Sequence, residues 1–203
     1  MRRITIEELL ASDEEVERFA QTLRRGGVAA VPTETFYALA ADPASPEGVN
    51  RVRKLKGRGP AKPLLVLFGS PEQLEPLGVT APREALDRYL AIWPAPLTVV
   101  LALREPIPAS SGARSLGVRI PAHDALRSLL ARTAPVTGTS LNRSGEPPCE
   151  DADRAAELFG ESLDAIVDGG PTRGGMPSTL LDATVDPPRV LRRGAYPWPP
   201  PAR

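Results

Sequence analysis

Short, unbroken apolar runs set the terms on which this chain can fold. Val28-Ala29-Ala30-Val31, Leu64 to Phe68 and Leu97 to Leu103 carry almost no polar side chain. Such runs suit strands covered on both faces and are far too short to span a bilayer. Between them lie stretches with helical spacing and their own start and stop signals. Ser12-Asp13-Glu14-Glu15 reads as a capping box, opening a helix through Val16, Phe19, Ala20 and Leu23 that stops at Gly26-Gly27. Further helices are predicted over about 46–55, 82–92, 123–132 and 151–159, and further strands at 116–120, 165–167, 179–183 and 189–191. The first strand is expected at Val28, behind an acidic helix that follows Met1-Arg2-Arg3. The pattern predicts an α/β fold in a single domain over residues 1–195, with a Pro-rich tail over 196–203 that is extended, either disordered or laid on the surface.

The formal net charge is zero, so any anion site has to be local. The 25 basic residues include only three lysines, Lys54, Lys56 and Lys62, grouped in one short window. A single histidine, His123, and a single cysteine, Cys149, speak against a zinc centre and rule out an intrachain disulfide. No metal ligands are expected, Cys149 is expected to be structural or incidental, and a cytoplasmic address without membrane contact follows. Neither common glycine-rich phosphate loop is present.

The chemistry has to come from cations, hydroxyls and amides. Lys56 and Arg58 flank Gly57 in a helix-to-strand loop, where two cations can converge on one polyanion. Thr33 and Thr35 follow the first strand, and Ser140 and Asn142 follow another, offering small polar groups at strand ends. Arg119 sits inside an apolar strand and needs an anion, either a ligand carboxylate or a structural Asp or Glu. Gly169-Gly170-Pro171 to Gly174-Gly175, before Ser178-Thr179, can close over a ligand or form a long hairpin.

In that order the segments Pro32-Thr33-Glu34-Thr35-Phe36-Tyr37, Lys56-Gly57-Arg58, Pro96-Leu97-Thr98, Arg119-Ile120-Pro121, Ser140 to Gly145, Asp168-Gly169-Gly170, Ser178-Thr179 and Arg192-Arg193-Gly194 resemble the YrdC-like family of threonylcarbamoyl-adenylate synthases. The resemblance implies a twisted mixed β-sheet flanked by helices, YrdC/RibB-like, with a concave basic cavity. It implies a nucleotidyltransferase that makes threonylcarbamoyl-AMP and pyrophosphate from L-threonine, bicarbonate and ATP with Mg2+, and no permanently bound cofactor. The product serves tRNA threonylcarbamoyladenosine modification, through tRNA or a threonylcarbamoyl-transferase complex. Carried over by resemblance, Lys56 and Arg58 are catalytic, Thr35, Arg119 and Ser178 hold threonine, and Lys62, Ser140, Asn142 and Arg193 hold the nucleotide. A competing expectation is a divergent paralogue that uses the same cavity for RNA or another nucleotide. Two departures from the family pattern bear on the pocket: Leu67 stands where a histidine is usual, and Glu150 where a hydroxyl is usual.

Overall fold

The computed structural model describes residues 1–57, 59 and 62–200. Strand β1 (Arg2–Thr5) leads into helix α1 (Ile6–Leu10), held at its start by a reciprocal cap between Thr5 and Glu8. In helix α2 (Asp13–Arg24) only half of the expected box forms. Ser12 Oγ accepts from the Glu15 amide at 3.3 Å, while the Glu15 carboxylate turns to Arg2 and Arg18. The chain continues through β2 (Ala29–Val31), β3 (Ala38–Ala40), α3 (Pro46–Lys56), β4 (Val66–Leu67), β5 (Val79–Thr80), α4 (Arg83–Leu90), β6 (Leu97–Leu103) and β7 (Ser115–Arg119). It ends with α5 (Asp124–Arg132), β8 (Val136–Thr137), β9 (Thr139–Ser140), α6 (Ala152–Phe159), β10 (Ala165–Asp168), β11 (Thr179–Asp182) and β12 (Arg189–Arg192).

The mixed α/β architecture is the one expected, with the β-structure divided between two mixed sheets. The first has the order β1-β10-β2-β3-β9 and the second β12-β11-β6-β7-β4-β8, with β5 added alongside β6. The unbroken apolar runs behave as their composition requires. Ala30, Leu39 and Ala41 face one hydrophobic cluster, while Ala29, Val31, Ala38 and Ala40 face a second cluster with Phe19, Leu126 and Leu130. Strand β1 was not expected. Three of its four residues are exposed and it lies at a sheet edge, so it carries no apolar alternation. It is held by its parallel ladder to β10 and by Arg3, whose Nη2 lies 2.7 Å from Asp168 and whose Nη1 lies 2.6 Å from Asp153.

The two sheets meet at one point of the chain. Thr137 belongs to β8 in the second sheet and Thr139 to β9 in the first, with Gly138 between them. Thr137 stitches the seam. Its amide donates to Ala41 O at 2.9 Å, and its hydroxyl donates to Leu39 O at 2.9 Å while accepting from the Ala41 amide at 3.0 Å. The Gly138 amide donates to Leu65 O at 2.8 Å. Beyond β12, Tyr196 and Trp198 pack against the first cluster, with the Trp198 ring 6.3 Å from Tyr89 between centroids.

A Cβ on Gly138 would collide with Leu67 and come within 2.8 Å of Leu65 Cδ1. Gly138→Ala is therefore expected to cost about 1–3 kcal/mol of stability through overpacking, read as a lowered urea midpoint.

Candidate functional site

A cavity of about 360 Å³ opens above that seam, floored by Leu65, Gly138 and Thr139. Its walls bring together Thr33 and Thr35 from the β2–β3 connection, Arg119 from the end of β7, Ser140 from β9, Ser178 before β11 and Arg192 from β12. The described lining contains two arginines and no carboxylate, so the hollow is locally positive in a chain of zero formal net charge.

Local hydrogen bonding explains why these groups stay where they are. The Thr33 hydroxyl donates to Phe36 O at 2.7 Å and accepts from the Thr35 and Phe36 amides, both at 3.2 Å, locking the turn after β2. Tyr37 then ties this turn to the glycine loop: its hydroxyl donates to Gly170 O at 2.9 Å and accepts from the Gly169 amide at 3.1 Å. Ser178 Oγ pairs with Thr98 Oγ1 at 2.9 Å, and the Arg192 guanidinium donates to Ser178 O at 2.8 and 3.2 Å.

Two buried cations among the described residues, Lys56 and Arg119, are treated very differently. Lys56 is the last residue of α3, which ends on Gly57 in the left-handed conformation (φ 60°). Its side chain is 1% exposed. The ammonium donates to Ser140 O and, at 2.7 Å, to Asn142 Oδ1, which also accepts from Ser140 Oγ at 2.7 Å. Lys56 therefore organises the Ser140 loop from behind and is not part of the described cavity lining. Arg119 is also buried, 4% exposed, yet its nearest opposite charge is Glu34 Oε2 at 3.8 Å from Nη2, and its Nε has no hydrogen-bond partner among the described residues. Burial pulls this guanidinium below its ordinary pKa, with Glu34 acting in the other direction.

Thr35, Arg119, Ser140 and Ser178 are thus gathered at one cavity, with Asn142 just behind Ser140. Lys62 and Arg193 are exposed and lie outside the lining, and Arg58 falls outside the described residues. The arginine that enters the cavity from β12 is Arg192, paired in the ladder with Leu180, another lining residue. Sequence reasoning had no register with which to separate Arg192 from Arg193. It also missed Glu34, whose carboxylate oxygens are buried without hydrogen-bond partners among the described residues. Both departures from the family pattern sit outside the lining. Leu67 is buried in the second cluster. Glu150 is exposed, its side chain packed over Gly174 and its carbonyl accepting from the Thr172 amide at 2.7 Å. Cys149 is buried, as a structural thiol should be.

These features define a class: an α/β protein whose two sheets enclose a small, positive, hydroxyl-lined hollow suited to a polar anion. The Sua5/YciO/YrdC family, described as "Telomere recombination", matches residues 21–194, and the chain belongs to that family. A relative from Pyrococcus abyssi (strain GE5 / Orsay), named threonylcarbamoyl-AMP synthase, is 39% identical over 178 residues, covering 86% of this chain and 52% of that protein. One from Vibrio campbellii with the same name is 32% identical and covers 88% of this chain and 98% of the relative. Among solved structures, Pyrococcus abyssi Sua5 complexed with L-threonine superposes with a TM-score of 0.84 at 36% identity, over 97% of this chain and 57% of that one. The chain spans about half the length of the Pyrococcus relative.

Two predictions follow from the groups around the cavity. Lys56→Ala removes the ammonium from the Ser140–Asn142 loop and is expected to cost about 1–3 kcal/mol in urea unfolding. The second concerns alkaline pH. Burial, the largest influence on each, raises Tyr37 from 10.0 to about 12 and Cys149 from 9.0 to about 11. The folded state holds these protons more tightly than the unfolded state, so their stabilisation is complete below the unfolded values and is lost as pH rises through the folded ones. Urea midpoints should fall between about pH 9 and 12, and Tyr37→Phe should flatten the upper part of that slope.

Proposed function

We propose that this chain joins L-threonine, bicarbonate and ATP into threonylcarbamoyl-AMP and pyrophosphate. The observation that carries the reading is Arg119, a buried guanidinium with an unpartnered N–H at the wall of an amino-acid-sized hollow. A ligand carboxylate accepting two parallel N–H bonds satisfies such a group. Thr35 and Ser178 flank it and would hold the rest of threonine. Ser140 and Asn142 would meet the nucleotide. The nucleotide role that the resemblance implies for Arg193 would fall to Arg192, which lines the cavity. Arg58, and Lys62 from its exposed position, would neutralise the phosphates, with Lys56 both adding positive charge and holding the Ser140 loop in place.

The reaction asks for positioning and charge neutralisation more than for a strong base. The threonine amine, its ammonium proton given up to solvent, adds to carbon dioxide formed when bicarbonate loses hydroxide as water, and the nitrogen sheds a second proton to leave a carbamate. A carbamate oxygen then attacks the α-phosphorus, and the bond to the bridging oxygen breaks to release pyrophosphate. Magnesium would be carried by the ATP phosphates and supply charge neutralisation there. The product is an activated acyl-adenylate, and a tRNA-modifying transferase acting on tRNA in the cytoplasm is the acceptor this reading implies. No helix among the described residues is long and apolar enough to cross a membrane.

Pyrophosphate release from ATP, bicarbonate and magnesium should depend on added L-threonine. Arg119→Ala should raise the threonine KM by about a hundredfold, as expected when one partner of a buried charge pair is removed. ATP binding without threonine-dependent release would replace this reading with a non-synthase paralogue.

A further inference from the structure

Arg119 and Glu34 form an ion pair that is shielded from solvent and still open to a ligand. Their side chains are 4% and 11% exposed, and the 3.8 Å between Nη2 and Oε2 is too long for a hydrogen bond. Neither Glu34 oxygen, nor Arg119 Nε, has a hydrogen-bond partner among the described residues. The two groups also face different spaces. Arg119 lines the 360 Å³ cavity. Glu34 is absent from that lining and borders a second hollow of about 550 Å³, with His123 and Arg173. The locked Thr33 turn holds the intervening wall in place, so the guanidinium stands on the ligand side and the carboxylate behind it.

The charge balance of that wall has a consequence for selectivity. His123 has its pKa lowered, chiefly by burial, and stays neutral near pH 7, while Arg173 is exposed and screened. Glu34 therefore offsets Arg119 locally, while the positive charge of Arg192 and Lys56 acts alike on any carboxylate offered to Arg119. A ligand that brings only a carboxylate sets a second negative charge near the buried Glu34. An α-amino acid brings its own ammonium within a few ångströms and adds no net charge. In a poorly solvated wall that difference is large. We propose that Glu34 is a specificity-determining residue that makes Arg119 select zwitterionic amino acids over plain carboxylates, acting through the field at the guanidinium without touching the ligand. This rests on the reading of the cavity as an amino-acid pocket.

The test is calorimetric titration of the full chain with L-threonine and with 3-hydroxybutanoate, which keeps the carboxylate and hydroxyl and lacks the amine. The wild type should prefer threonine by at least about tenfold, and Glu34→Gln should narrow that ratio about tenfold, mainly by tightening the hydroxy acid. Glu34→Asp keeps the charge and should keep the preference, with thermal unfolding confirming that both variants fold. An unchanged ratio in Glu34→Gln, or equal loss of both ligands, overturns the inference and leaves Glu34 as a support for Arg119. Equal affinity for the two ligands in the wild type overturns it without any variant. If the wild type binds no L-threonine, the amino-acid reading of the cavity fails first and takes this inference with it.

Discussion

Everything about the site depends on one covalent constraint: residues 137–139 belong to two sheets at once. Thr137 is laddered to β4 and Thr139 to β3, so the backbone has to cross from one sheet to the other through a single residue. Gly138 is at that crossing because Leu65 and Leu67 leave no room for a side chain. The wedge beside this crossing is the cavity, lined by strand residues of both sheets, among them Ala38, Val100, Gly117 and Leu180, and by the connections that carry Thr33, Thr35 and Ser178. Arg119, Ser140 and Arg192 are the last residues of β7, β9 and β12 and Ser178 immediately precedes β11, so strand register places them, while Thr33 and Thr35 are placed by the locked turn after β2.

Within that wedge the buried charges divide by whether their hydrogen bonds are already made. Lys56 is held by Ser140 and Asn142, so part of the cost of burying it is offset within the protein and the Ser140 loop is fixed in return. Arg119 is left with a loose partner, so the folded chain carries a desolvation cost that the ion pair with Glu34 offsets only in part. The tyrosine at position 37 performs a third task. By bonding both Gly169 and Gly170 it fixes the glycine loop to the β2–β3 turn, and through Asp168 that loop reaches Arg3 on the edge strand. Burial would raise Asp168, but its bonds from Arg3 and the Gly170 amide outweigh this and hold it below the ordinary carboxylate value.

Much of this was legible in the sequence because its causes are local. Ser12 as a cap, the 97–103 strand and the helix ending at Gly57 follow from propensity, apolar runs and a left-handed stop. The gathering of Thr35, Arg119, Ser140 and Ser178 followed from strand ends and motif order. What was hidden depends on long-range geometry. Strand β1 has no apolar pattern of its own and exists through pairing with residues more than a hundred positions away. Arg192 and Arg193 are indistinguishable until the β11–β12 register is known. The split into two sheets turns on one glycine, and nothing local to Glu34 announces that the fold brings Arg119, from the other sheet, within 3.8 Å of it.

The order in which strands are laid down differs sharply from their order in space. β10 runs parallel between β1 and β2, and β11 runs parallel beside β6, so inner positions of both sheets are filled by segments near the end of the chain. During synthesis β2 and β6 emerge long before those neighbours exist, and each waits with an unpaired apolar edge. Neither sheet can close until residues 165–182 are in place, so completing each sheet depends on long loop closures between segments far apart in the sequence.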